Sequence, residues 1–188
     1  MSIDSESDQV RRFENHVLIY VNDLYRAALR LTGRAADAED LVQDTCLRAF
    51  RALDQLRHVA AAKAWVFSIL RSTFLRQIER GPHAGAVVSL EDIEGSLLIA
   101  GDVVHDAGES FLPTRQALLQ ETRHAILKLP LAYREAVILT HIGGFSYREI
   151  SDILGVPVGT VMSRLFRGRR LLRHALHAGG PTRSEMGR

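Results

Sequence analysis

Cysteine is nearly absent: Cys46 is the only one in 188 residues, which excludes an internal disulfide and a thiolate metal cluster. No uninterrupted apolar run approaches the ~20 residues of a membrane-spanning helix, so no membrane insertion is expected. The first residues, Met1-Ser2-Ile3-Asp4-Ser5-Glu6-Ser7-Asp8, are acidic and lack an apolar secretory core. Glycine-rich phosphate loops and a Gly-x-Ser-x-Gly elbow are missing. The 8 histidines are scattered, and only His174 and His177 lie close together, without a neighbouring cysteine or carboxylate. These absences predict a soluble, reduced, cytoplasmic protein that is no enzyme and uses neither cofactor nor metal. What remains is a chain 46% apolar and 24% charged, enough for a packed core and long enough for one ordinary domain or two small ones.

Net charge is only +2, but it is unevenly spread. Residues 1–80 hold 12 Lys or Arg against 11 Asp or Glu. Residues 81–113 hold no base and 6 acids: Glu91, Asp92, Glu94, Asp102, Asp106 and Glu109. Residues 114–188 hold 12 bases against 5 acids, a local +7 that points to a polyanionic partner.

The periodicity is helical throughout and no segment alternates like a strand. A disordered start through residue 9 precedes a helical pattern from Val10 to Leu31, closed by Gly33. A second helix runs from Asp37 to Leu53, with Leu41, Val42, Thr45, Cys46, Ala49, Phe50 and Leu53 on one stripe. That stripe makes Cys46 a packing residue rather than a redox switch. A third helix, Ala62 to Arg80, aligns Phe67, Leu70, Phe74 and Ile78. The acidic 81–113 stretch reads as a flexible linker. Helices resume near Thr114, one ending at Pro130 and another running from Ala132 to Ile142. A tail follows residue 178. The fold class is therefore all-α, two small helical domains (10–80 and 114–178) joined by a flexible acidic linker.

The C-terminal domain carries the clearest motif. Ser146 with Glu149 forms a capping box that starts a short helix closed by Leu154-Gly155. A turn at Val156-Pro157 leads into a second helix from Val158, which is the helix-turn-helix pattern. Val158, Val161, Leu165 and Leu172 face a core, whereas Thr160, Ser163, Arg164, Arg167 and Arg170 face away with no acid among them. A DNA recognition helix needs this combination of groups for base edges and phosphates. A solvated basic face on a structural helix is the plainer reading.

Here the chain resembles a family. Leu129-Pro130, Tyr133-Arg134-Glu135-Ala136, Phe145-Ser146-Tyr147-Arg148-Glu149-Ile150 and Gly159-Thr160-Val161-Met162-Ser163-Arg164-Leu165-Phe166-Arg167-Gly168-Arg169 look like region 4 of the extracytoplasmic-function (ECF) sigma factors of bacterial RNA polymerase. The resemblance implies binding to the promoter −35 element through Tyr147, Arg148, Thr160, Met162, Ser163, Arg164, Phe166, Arg167 and Arg170.

The first domain supports the same resemblance. Opposite the apolar stripe of the second helix lie Asp40, Gln43, Asp44, Leu47 and Arg51, a polar face with one apolar anchor, or simply a solvated face. Asp37-Ala-Glu-Asp-Leu-Val-Gln-Asp-Thr45 resembles ECF region 2.2, which implies docking on the clamp coiled coil of the polymerase's largest subunit, with the flap as a second contact. Lys63-Ala64-Trp65-Val66-Phe67-Ser68-Ile69-Leu70-Arg71-Ser72 resembles regions 2.3–2.4, which melt and read the −10 element. The implied −10 residues are Lys63, Trp65, Ser68, Arg71, Ser72 and Arg76. Trp65 supports an unstacked base or packs half-buried against neighbouring helices. Ser72 stands where the family usually has Asn, and Arg76 where it has an acid. The partners implied are core RNA polymerase, promoter DNA and an anti-sigma factor. The alternative is a stand-alone helix-turn-helix regulator, a dimer that binds duplex DNA without polymerase.

Overall fold

The computed structural model describes residues 3–80 and 115–178. The linker at 81–113 and the tail at 179–188 lie outside the described residues. Helix α1 spans Ile3–His16 and α2 spans Val21–Thr32, with a 3-10 turn at Leu18–Tyr20 between them. This corrects two expectations: residues 3–9 are helical rather than disordered, and the pattern from Val10 to Leu31 is two helices. The break follows from tertiary packing at Val17, which is completely buried while Leu18 and Ile19 stay exposed. The β-branched residues Val17, Ile19 and Val21 also weaken continuous helix locally.

Beyond the break, α2 buries Leu24, Ala27, Ala28 and Leu31, the spacing of one helix stripe. Helix α3, Ala35–Arg51, returns antiparallel and buries Ala38, Leu41, Val42, Thr45 and Ala49. Thr45 satisfies its buried hydroxyl by donating to the Leu41 carbonyl at 2.7 Å. Cys46 is half-buried, and burial pushes its thiol pKa up, as suits a packing residue. Helix α1 joins this core through an edge-on contact of Phe13 with Phe50, ring centres 5.3 Å apart. After 3-10 turns at Leu53–Gln55 and Val59–Ala61, α4 spans Ala62–Arg80 and buries Val66, Phe67, Leu70, Thr73 and Phe74.

The second domain contains α5 (Arg115–Leu127), α6 (Leu131–Ile138), α7 (Tyr147–Leu154) and α8 (Val158–Ala178). A π-helical turn, Leu139–Gly143, follows α6. No strand occurs among the described residues. The cap of α7 forms as expected. Glu149 N–H donates to Ser146 Oγ at 3.3 Å, and Ser146 N–H donates back to Glu149 Oε2 at 2.8 Å. The Ser146 hydroxyl also donates to Glu149 Oε2 at 2.7 Å, and this bond, with that from Ser146 N–H, holds the Glu149 carboxyl below its ordinary pKa. A depressed folded-state pKa stabilises the fold above the ordinary carboxylate range, and that contribution is lost as pH falls through it. Replacing Ser146 by Ala is expected to lower stability by about 1 kcal/mol, read as a lower urea midpoint with an unchanged slope.

Gly155 takes φ +66° in the turn after α7, a backbone angle that favours glycine. Ser151 locks this turn by donating to the Val156 carbonyl at 2.6 Å. Ile150, Val161 and Leu165 fill the space between α7 and α8 and are almost wholly buried. Val158, expected in that core, is exposed instead, because it opens α8 one turn ahead of the crossing point. Gly168 lets α8 approach α6 closely: a Cβ there would meet Val137 at 3.1 Å.

The two domains pack against each other, and their buried residues form one continuous cluster.

Candidate nucleic-acid interface

Of the five residues the wheel turns outward on α8, Ser163 and Arg167 are exposed and three are only partly so. Met162 is 53% exposed and Phe166 69% exposed, and Ser163, Arg167 and Arg169 are exposed beside them. Thr160, Arg164 and Arg170 are half-buried along the edges of this face. Ser163 donates to the Thr160 carbonyl at 2.9 Å, which leaves its oxygen facing solvent as an acceptor. Arg167 reaches the Tyr133 hydroxyl at 3.5 Å, a long bond that steadies the guanidinium without removing it from solvent. Tyr147 and Arg148, in the first turn of α7, are exposed next to it. The face thus joins two large apolar groups with hydroxyls and guanidinium groups. In a major groove such a set touches thymine methyls, base acceptors and phosphates.

Helix α4 is more constrained. Ser72 and Arg76 are exposed, and Trp65 and Ser68 are half-buried. Ser68 donates to the Ala64 carbonyl at 3.0 Å and Ser72 to Ile69 at 3.0 Å, so both hydroxyls bond their own helix. Trp65 packs against the core. The other two candidates are engaged elsewhere. Lys63 Nζ sits 3.1 Å from Asp23 and 5.7 Å from the rings of Tyr20 and Phe145. Arg71 Nε lies 2.8 Å from Glu135 Oε1, on the second domain. The structure therefore does not bring the six candidates to one open surface.

The outer face of α3 is open. Asp40, Gln43, Asp44, Leu47 and Arg51 are all exposed, with Leu47 at 49%. Asp44 accepts a hydrogen bond from Gln77 of α4 at 3.2 Å.

Sequence reasoning gave no site role to Glu135 and Arg134, two charges inside the domain contact. Glu135 is only 6% exposed, and burial pushes its carboxyl pKa up, while Arg71, Arg164 and Arg134 pull it back. Arg134 lies across the ends of two helices. It donates to the Leu31 carbonyl at 3.1 Å and to Leu129 at 3.0 Å, and also to Leu127. Burial lowers its pKa, and its Nε has no hydrogen-bond partner. One signal was available: Lys63, Phe67 and Arg71 are spaced four apart, which puts two charges on the buried stripe of α4.

Comparison with known proteins finds matches to both domains. Residues 17–81 match the family model for sigma-70 region 2, and residues 119–172 match that for sigma-70, region 4. The chain is 36% identical over 164 residues to the ECF RNA polymerase sigma factor EcfG of Rhodopseudomonas palustris, covering 87% of this chain and 84% of that one. It is 30% identical over 186 residues to the ECF RNA polymerase sigma factor SigW of Bacillus subtilis, covering 94% and 97%. Among solved structures it is similar to the sigma factor RpoE of Bartonella quintana, solved with the anti-sigma factor NepR. The TM-score is 0.66 at 30% identity, covering 89% of this chain and 98% of that one.

Proposed function

The chain belongs to the ECF family of RNA polymerase sigma factors, and from that premise we propose which of its surfaces bring core polymerase to a promoter. Members of the family are transcription initiation factors rather than enzymes. On this reading α8 enters the major groove of the −35 element, with Arg164 and Arg167 on guanine or phosphate. Met162 and Phe166 lie against thymine methyls, and Ser163 and Thr160 are at base edges. Tyr147, Arg148 and Arg170 fix the register on the backbone. Helix α4 meets the melted −10 strand with Trp65, Ser68, Ser72 and Arg76, joined by Lys63 and Arg71 once those are released. The exposed α3 face docks on polymerase. An anti-sigma factor as inhibitor is part of the proposal, because the related RpoE was solved with one.

The observation that carries this reading is the outward face of α8, where Met162, Ser163, Phe166 and Arg167 stand exposed on a capped helix-turn-helix. Transcription reconstituted with core polymerase on genomic DNA tests it. Transcripts are expected to start at a small set of sites sharing spaced upstream elements, and only when this chain is added. Starts unchanged by the chain would falsify the reading. Tight, polymerase-independent binding of duplex DNA by a dimer would favour the stand-alone regulator.

A further inference from the structure

Only 2% of Tyr133 meets solvent, and a hydroxyl so deeply placed needs a polar partner. Arg167 of α8 supplies one, donating from Nη1 to the Tyr133 hydroxyl at 3.5 Å across 34 positions of sequence. Two features set up this contact. Pro130 caps α6 and its carbonyl accepts from the Tyr133 N–H at 3.0 Å, which fixes where on the first turn the ring leaves the helix. On α8 the neighbour of Arg167 is Gly168, where a Cβ would meet Val137 Cγ2 at 3.1 Å and Tyr133 Cβ at 3.4 Å. An interior glycine weakens a helix relative to alanine, so its place inside a 21-residue helix calls for a packing reason. That reason is the close approach of α8 to α6, which brings Tyr133 within reach of the Arg167 side chain.

The chemistry of this tether suits base reading. An arginine exposed on a helix samples many rotamers, whereas a fork that reads guanine must meet O6 and N7 in one plane. Biasing its direction before binding reduces the ordering cost that otherwise falls on the complex. Tyr133 does this as a neutral acceptor. A carboxylate in its place would hold the guanidinium more firmly, but it would cancel the positive charge and be repelled by the phosphates. At 3.5 Å the bond is weak, so it steers the group rather than immobilising it.

We propose that Tyr133 is a positioning residue for −35 recognition, its buried hydroxyl orienting Arg167 on one base pair while Gly168 keeps α8 at the distance this requires. The inference rests on the sigma-factor reading of α8 and narrows it. Tyr133 sharpens preference at a single position and leaves the others to their own contacts.

The test is run-off transcription by core polymerase with the full chain, on the preferred promoter and on a set in which each −35 base pair is changed in turn. Arg167→Ala identifies the position that Arg167 reads, as the base pair at which preference disappears. Tyr133→Phe removes the hydroxyl and keeps the ring. It is expected to lower preference at that same position about fivefold, with the other positions and affinity for core polymerase unchanged. Gly168→Ala pushes α8 off Tyr133 and is expected to reproduce the loss without touching the tyrosine. In an Arg167→Ala background Tyr133→Phe is expected to change nothing further, the non-additivity of two groups acting through one contact. Urea midpoints check that each variant is folded. Unchanged preference in both folded variants, a loss spread evenly over all −35 positions, or a full Tyr133→Phe effect without Arg167 overturns the positioning role. A parent chain that starts transcription at defined promoters keeps the sigma reading whatever the variants do. A parent that starts none removes that reading, and this inference with it.

Discussion

Replacing Arg164 and Arg167 together by Ala is expected to abolish promoter selectivity while leaving polymerase binding intact. Each good bidentate contact of Arg with guanine contributes about 1–3 kcal/mol of discrimination. Removing two of them reduces initiation at the preferred promoter between about 30-fold and about 10⁴-fold, at 1.4 kcal/mol per tenfold. Neither arginine is a core residue: Arg167 is exposed and Arg164 half-buried, while Val161 and Leu165 anchor the helix. The fold therefore survives the change, and circular dichroism and the urea midpoint check that. The measurement is run-off transcription from the preferred promoter against a scrambled −35 control, with core affinity followed in parallel. If the arginines touched only phosphates, all sequences would weaken alike, and the log–log salt slope would flatten by ~0.9 for each phosphate no longer neutralised. Selectivity that survived the double change would place the reading face elsewhere.

The parts of the molecule that were legible in the sequence are those specified locally. Helix α4 begins at Ala62 and ends at Arg80 as its period and Gly81 indicate, and the Ser146–Glu149 box sets the start of α7. The exposure of Met162, Ser163 and Arg167 follows from the same kind of rule, because Val161 and Leu165 fix the wheel. What was illegible depends on residues far apart in the chain. The break at Val17 is set by what that side chain packs against, and no turn residue marks it. Tyr133-Arg134-Glu135 carries three polar groups in a row, yet Tyr133 is 2% exposed and Glu135 6%. Their burial needs α2 and α4 of the other domain, beyond a connector with no periodicity. A helical wheel finds which side of α4 is apolar. It cannot find that a second domain lies on it.

Leu47→Arg is expected to be the most damaging single change for polymerase docking, lowering core affinity at least about 30-fold. Leu47 is the one large apolar group on the outer face of α3, set among Asp40, Gln43, Asp44 and Arg51. In a polar interface such an anchor is desolvated at the centre, and a guanidinium forced there has no partner arranged for it. In the free chain the same position is half open to water, so stability should shift by no more than about 0.5 kcal/mol. Fluorescence anisotropy of the labelled chain titrated with core polymerase separates the two effects. Unchanged affinity would move the docking site off α3.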